Sequence, residues 1–311
     1  MIAALCGYCL LPVLAQPPLP PGKGAIGISS GIGKGINSGV VDTAAQNLRQ
    51  KYASLQNALA HNQFGRALVL ESGETDNTVH GDIYALVNYP LASVRQALHS
   101  PANWCDLMLL HINTKYCYAQ IAPDNVQLRI YLGKKTPEAL RSAARLDFRY
   151  RVQMDQAEIL TIALNAPQGP MGTSDYRIVL EALALPDDKT LIHLSYAYAS
   201  NLVGRTAMRV YLNTVAKDKV GFTASAPRLD NGSVACIGGI RGLVERNTMR
   251  YYLAIESYLG AATLPAASQF DARLQSWFSA TERYPRQLHE IGREQYISMK
   301  HDEYQRQQTL Q

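Results

Sequence analysis

Residues 125–132, NVQLRIYL, and 146–154, LDFRYRVQM, decide the fold. In the first, Val126, Leu128, Ile130 and Leu132 fall on alternate positions. In the second, Leu146, Phe148, Tyr150, Val152 and Met154 share one side, while Asp147, Arg149, Arg151 and Gln153 take the other. Successive side chains of a strand point to opposite faces, so this text specifies one apolar and one wet side, the pattern of an antiparallel sheet covered on a single face.

Working outward, strand-like runs precede these at 67–72 and 78–89 and follow at about 157–164, 176–184 and 190–199. Turn sequence such as NAPQGPMGTSD and PDD joins the later ones. The runs are direct neighbours with no crossover helix between them, which argues against a parallel doubly wound sheet. Pro90 stops the second run, and LASVRQALHSPANWCDLMLL reads as two short helices broken at Ser100-Pro101, because a residue before proline is pushed out of the α region. Beyond the sheet a short helix is expected at 203–214, strands near 219–225 and 233–238, and a long helix over IRGLVERNTMRYYLAIESYLG with a left-handed cap at Gly260. The tail, 263–311, is polar and helical by propensity. Leu274, Trp277 and Phe278 form its large apolar group, so it is expected to pack by that end and fray by the other.

Upstream, residues 41–65 hold an N-terminal helix, with Leu48, Tyr52, Leu55 and Leu59 three or four apart and Asp42 or Thr43 placed to cap it. Residues 16–40 are a Pro/Gly-rich linker by composition. The opening run IAALCGYCLLPVLAQ is too short to span a bilayer comfortably and ends in small residues near Ala15, as an export signal does. It lacks a basic start, so two readings stand: a signal peptide, 1–15, cleaved near Ala15, or an uncleaved anchor. Either sends the chain to the periplasm or the cell envelope. Cleavage would leave Cys105, Cys117 and Cys236; in oxidising surroundings Cys105 pairs with Cys117, tying a helix end to the next strand, or both stay buried thiols.

The 311 residues are 47% hydrophobic, enough for a core without staples, and the net charge of +5 is dispersed among acids. No dense cationic stripe marks a nucleic-acid binder. Gly27, Gly31 and Gly33 imitate a dinucleotide fingerprint, and Tyr296 with Lys300 imitates a dehydrogenase pair. However, PPLPPGK precedes the glycines where a buried strand is required. The seven histidines show no metal spacing, and no Ser/His/Asp set can be assembled. No catalytic residue, metal or cofactor is assigned.

The segments HGDIYALVNYPLASVRQALHSPANWCDL, 80–107, and GGIRGLVERNTMRYYLAIESYL, 238–259, are similar to those of the START-like, or SRPBCC, helix-grip superfamily. Pro90, Val94, Ala97, Leu98, Pro101 and Trp104 fit the hinge that precedes the curved sheet in such proteins. The resemblance implies an α+β fold, a curved antiparallel β-sheet wrapped around a long C-terminal helix, with extra helical segments at both ends and the START-like domain over 66–262. It also implies binding or transport of a lipid or other hydrophobic small molecule in an internal cavity, with transient contact to a membrane or envelope protein. Cavity candidates are Tyr150, His193 and Tyr196 from the sheet and Arg241, Glu245, Met249, Tyr252 and Glu256 from the helix. At about 100° per residue the three charged helix positions fall within its apolar arc, so Glu245 and Glu256 either meet arginines or hold polar atoms of a guest. Two alternatives remain. One is an enzyme on the same scaffold, a cyclase or hydrolase of an apolar substrate, with Glu245, Glu256 or His193 as acid or base. The other is an envelope interaction protein whose cavity is filled by its own side chains.

Overall fold

In the computed structural model the described residues are 38–201, 218–225 and 234–309, with single positions between 204 and 214. The expected signal segment, 1–15, and nearly all of the expected linker, 16–40, lie outside them.

Eight strands pair antiparallel: β1 (Leu68–Glu74), β2 (Thr78–Val87), β3 (Thr114–Ala122), β4 (Asn125–Leu132), β5 (Ala144–Asp155), β6 (Ile159–Gln168), β7 (Thr173–Leu185) and β8 (Lys189–Ser200). Their order is β1-β2-β8-β7-β6-β5-β4-β3, so every neighbour except β2-β8 is a hairpin partner. The apolar parity of β4, and of β5 as far as Val152, faces inward: Leu128 pairs with Phe148 and Ile130 with Leu146, all four buried. A register shift after Val152 turns Met154 to the outer face beside Ile159 and Leu183, against the alternation expected. Across this inner face lies α4 (Gly239–Ala261), as the helix-grip arrangement requires. The fold is α+β and START-like in architecture.

A second helix covers part of the outer face. From α1 (Ser38–Ala60), Ala45, Leu48, Leu55 and Leu59 pack on Tyr84, Ile159, Leu183 and Leu191. This explains why 159–164, ILTIAL, is apolar without alternation: all six residues are buried, because this end of β6 is covered on both sides.

The hinge folds as its prolines dictate. Pro90 caps α2 (Leu91–Leu98), and Ser100 precedes α3 (Pro101–Leu110), whose first residue needs no amide partner. The free carbonyls ending α2 are taken by the next helix: Trp104 Nε1 donates to Leu98 O at 2.7 Å and Asn103 Nδ2 to Ala97 O at 2.8 Å. Cys105 of α3 and Cys117 of β3 are joined in a disulfide, with Cα atoms 5.1 Å apart.

Three expectations are corrected. Gly260 does not cap α4; the helix runs on to Ala261 and ends at Ala262 with φ −62°, since AATL can hold the last turn and Pro265 stops it. Among the described residues only an isolated bridge, Ala224 to Cys236, stands where strands near 219–225 and 233–238 were expected. The amide of Thr223, which a longer ladder would pair with Ile237, donates to Glu245 instead, as does that of Phe222. Nor does the tail fray. After α5 (Ala266–Thr281) and the single turn α6 (Pro285–Leu288), α7 (Arg293–Thr309) docks on β3, burying Tyr296, Met299, Lys300, Glu303 and Gln307. Lys115 and Lys300 both reach Glu303, at 2.9 and 2.7 Å, so the polar text that suggests solvent is a buried ion cluster. Among the described residues no helix is long and apolar enough to cross a membrane.

Candidate functional site

The concave face carries aromatic rings from β5, β7 and β8. Tyr176 stacks on Tyr198 at 5.3 Å between centroids, Tyr196 meets Tyr251 of α4 at 5.3 Å, and Phe148 meets Tyr176 at 6.3 Å. Tyr150 lies beside them and donates its hydroxyl to His99 O at 2.6 Å. Burial pushes the phenols of Tyr150, Tyr176, Tyr196, Tyr198 and Tyr251 above their ordinary range. They are neutral groups at physiological pH, buried on the face that α4 covers.

Open volume lies at the C-terminal end of α4, in a cleft of about 720 Å³. Leu86, Val87 and Tyr89 at the end of β2 form one wall; Gly260 and, from α5, Ser276, Ser279 and Ala280 form another. Arg66, placed just before β1 by the turn that Asn62 secures with three bonds to backbone carbonyls, reaches across the cleft to Glu256. Its Nη1 donates to Glu256 Oε2 at 2.9 Å and its Nη2 to Tyr252 Oη at 3.2 Å, while Tyr252 Oη donates to Glu256 Oε1 at 3.3 Å. Burial is the largest single influence and works against the Arg66 charge, but the hydrogen bond to Glu256 and the electrostatic pull of Tyr252, Glu256 and Tyr284 together outweigh it and hold the guanidinium above its ordinary pKa. Lys189 and Arg283 add two exposed cations to the lining, so three positive groups face one carboxylate.

The sequence-derived candidates therefore divide into groups. Tyr150, Tyr196, Met249 and Tyr252 belong to the inner core, and Glu256 sits at the cleft. Arg241 and Glu245 lie at the opposite end of α4, where Arg241 Nε donates to Ser72 Oγ at 2.8 Å. Glu245 is fully buried and accepts four hydrogen bonds, from the Ser72 and Thr223 hydroxyls and the Phe222 and Thr223 amides. Its capacity is filled by the protein itself.

His193 is a correction. It projects from the outer face of β8, stacked on Tyr84 and bonded to Asp82 and Glu181, and not into the cavity side that holds Ile192, Leu194 and Tyr196. Parity decides this: a residue one position from Ile192 must point the other way. The cleft residues that sequence reading misses are Arg66, Tyr89, Lys189 and Arg283. Each sits at an element end, where neither period carries a signal.

This sheet-and-helix arrangement is the START-like, helix-grip fold. No family model matches the chain, and no curated protein matches it. Solved structures similar to it include a Thermus thermophilus protein, 11% identical over 59% of this chain and 99% of that one, with a TM-score of 0.38. An aromatase/cyclase from a Streptomyces species is 13% identical over 69% and 99%, with a TM-score of 0.31. Human StAR-related lipid transfer protein 5 is 10% identical over 55% and 90%, with a TM-score of 0.30. The fold assignment rests on strand order and helix placement in this chain.

Proposed function

We propose that this protein is an exported, non-catalytic carrier or sensor of an amphipathic small molecule, held in the cleft at the end of α4. The observation that carries this reading is the division of the cleft. Leu86, Val87, Tyr89 and Ala280 offer apolar surface, and Arg66, Lys189 and Arg283 outnumber Glu256 beside it. A volume of about 720 Å³ suits a small ligand. An anionic head would lie against the cations and a hydrocarbon part along the apolar wall. Export is supported by the opening segment and by the Cys105–Cys117 disulfide, a bond that persists in oxidising compartments. The packed concave face favours a second reading, an envelope interaction protein that takes no ligand.

Titration of the full chain with dodecanoate and with neutral dodecanol separates the two. On the carrier reading dodecanoate binds saturably, dodecanol more weakly, and Lys189→Gln and Arg283→Gln each weaken dodecanoate by about tenfold, the value of one charge-assisted contact. Absence of saturable binding by either, together with lipid-free protein recovered from its own envelope, supports the interaction protein.

A further inference from the structure

The half of the outer face that α1 leaves bare carries a second groove, of about 660 Å³. One register row crosses it: Gln127 of β4 pairs with Arg149 of β5, Arg149 with Asn165 of β6, and Asn165 with Arg177 of β7. Arg151 follows two residues along β5, on the same side. Strand spacing and rise set Arg149 and Arg177 about 10 Å apart, and Arg149 and Arg151 about 7 Å apart, at their Cα atoms. The register of β7 against β8 shifts between Ser174 and Arg177, with Asp175 at a φ of 51° and Pro167 lying between the flanking β6–β7 pairs. Such bulges re-aim side chains.

The arginines of this row differ from others on the sheet. Arg129 and Arg145 both bond Asp147, and Arg95 bonds Asp155. Among the described residues Arg149, Arg151 and Arg177 have no acid partner. Of the two carboxylates in the lining, Asp147 is already held by Arg145 and Arg129, and Asp175 accepts only the Ser174 hydroxyl at 3.3 Å. Three guanidiniums thus line a groove with one uncompensated carboxylate; the Asn165 amide lies between Arg149 and Arg177, and Gln127 ends the row on β4. Neighbouring like charges on a sheet repel, so the row destabilises the free protein slightly and gains when an anion enters. A lone carboxylate has too few oxygens for three forks. A phosphoryl group, with several terminal oxygens and up to two charges, has enough.

We propose that this outer groove is a binding site for a phosphate-bearing ligand, separate from the cleft at α4. The test uses the full chain at low ionic strength with two probes: inorganic pyrophosphate, and phosphatidylcholine vesicles with and without phosphatidylglycerol. Pyrophosphate is expected to bind saturably, and Arg149→Gln, Arg151→Gln and Arg177→Gln each to weaken it by about tenfold. Arg141→Gln, at an exposed arginine of the β4–β5 connection, is expected to leave binding unchanged. Arginine-dependent binding to pyrophosphate alone identifies a soluble phosphate ligand; arginine-dependent binding to phosphatidylglycerol vesicles alone identifies a lipid headgroup. The proposal is overturned if neither probe binds, or if Arg141→Gln weakens binding as much as Arg177→Gln does. All three arginines are exposed on a wet face, so the variants keep the fold, which circular dichroism checks.

Discussion

His193 lies flat on Tyr84, with ring centroids 4.3 Å apart and planes within 3°, and its two nitrogens bond Glu181 at 2.7 Å and Asp82 at 3.0 Å. Burial alone would favour the neutral ring, but the hydrogen bonds to Asp82 and Glu181 reverse that and raise its pKa to about 9. The folded state therefore holds a proton that the unfolded chain releases near 6.5. The stabilisation is fully present below pH 6.5 and is lost as pH rises through 9; at full size it is on the order of 3 kcal/mol. Urea unfolding across this range should show the loss in the native chain, and His193→Gln should remove most of the slope. An unchanged slope in the variant would show that the imidazolium is not the source.

Glu245 tests whether a buried carboxylate can be structural without an arginine. Its Oε2 accepts the Phe222 and Thr223 amides at 2.5 and 3.0 Å, and its Oε1 the Thr223 and Ser72 hydroxyls, both at 2.5 Å. Glu245→Gln turns one acceptor into a donor facing donors, and should cost about 3 kcal/mol in equilibrium unfolding. Ligand binding at the far end of α4 should be untouched. Reduced dodecanoate affinity in a folded Glu245→Gln protein would return this residue to the binding site.

The fold was more legible in the sequence than the site. Leu146 to Val152 alternate cleanly because, among the described residues, no helix covers the outer side of that part of β5, whereas Met154, past a register shift, turns to the cluster under α1. The Pro90 to Trp104 spacing marks a hinge through backbone chemistry that is local. ILTIAL in β6 and Leu191-Ile192 in β8 carry no such parity, since α1, a helix far away in sequence, covers the outer face there, whereas from His193 to Tyr198 burial alternates. The ion cluster of α7 is hidden for a related reason: Lys115 and Glu303 are 188 positions apart, and only the assembled fold makes them neutralise each other.

That cluster gives a second pH signature, opposite in sign. Burial lowers the Lys300 pKa to about 8 despite the opposing pull of Glu303. Between pH 8 and 10.5 the unfolded chain binds more protons at this group than the folded one, so its contribution to stability rises with pH in that window. Lys300→Met should remove the rise. Glu303→Gln strands two buried ammonium groups and should cost about 3–5 kcal/mol at about pH 7, with the gap narrowing as pH rises. Equal loss at neutral pH and near the top of that window would show that the variant fails by packing alone.

The Cys105–Cys117 disulfide closes a separation of 12 residues between α3 and β3, two of the elements on which α7 rests. A loop of that size removes about 3 kcal/mol of freedom from the unfolded chain, so Cys105→Ala with Cys117→Ala should lower the melting temperature by on the order of 5–10 °C. Both cysteines are buried, at 3% and 0% exposure, so reductant should act slowly on the native protein and quickly once urea opens it. Because Lys300 donates to the carbonyls of His111 and Thr114, inside the same loop, the double variant should also loosen α7. Amide exchange separates the causes: faster exchange in both α3 and α7 follows if the crosslink holds the tail's docking surface, whereas faster exchange confined to α3 would show that α7 is anchored by its ion cluster alone.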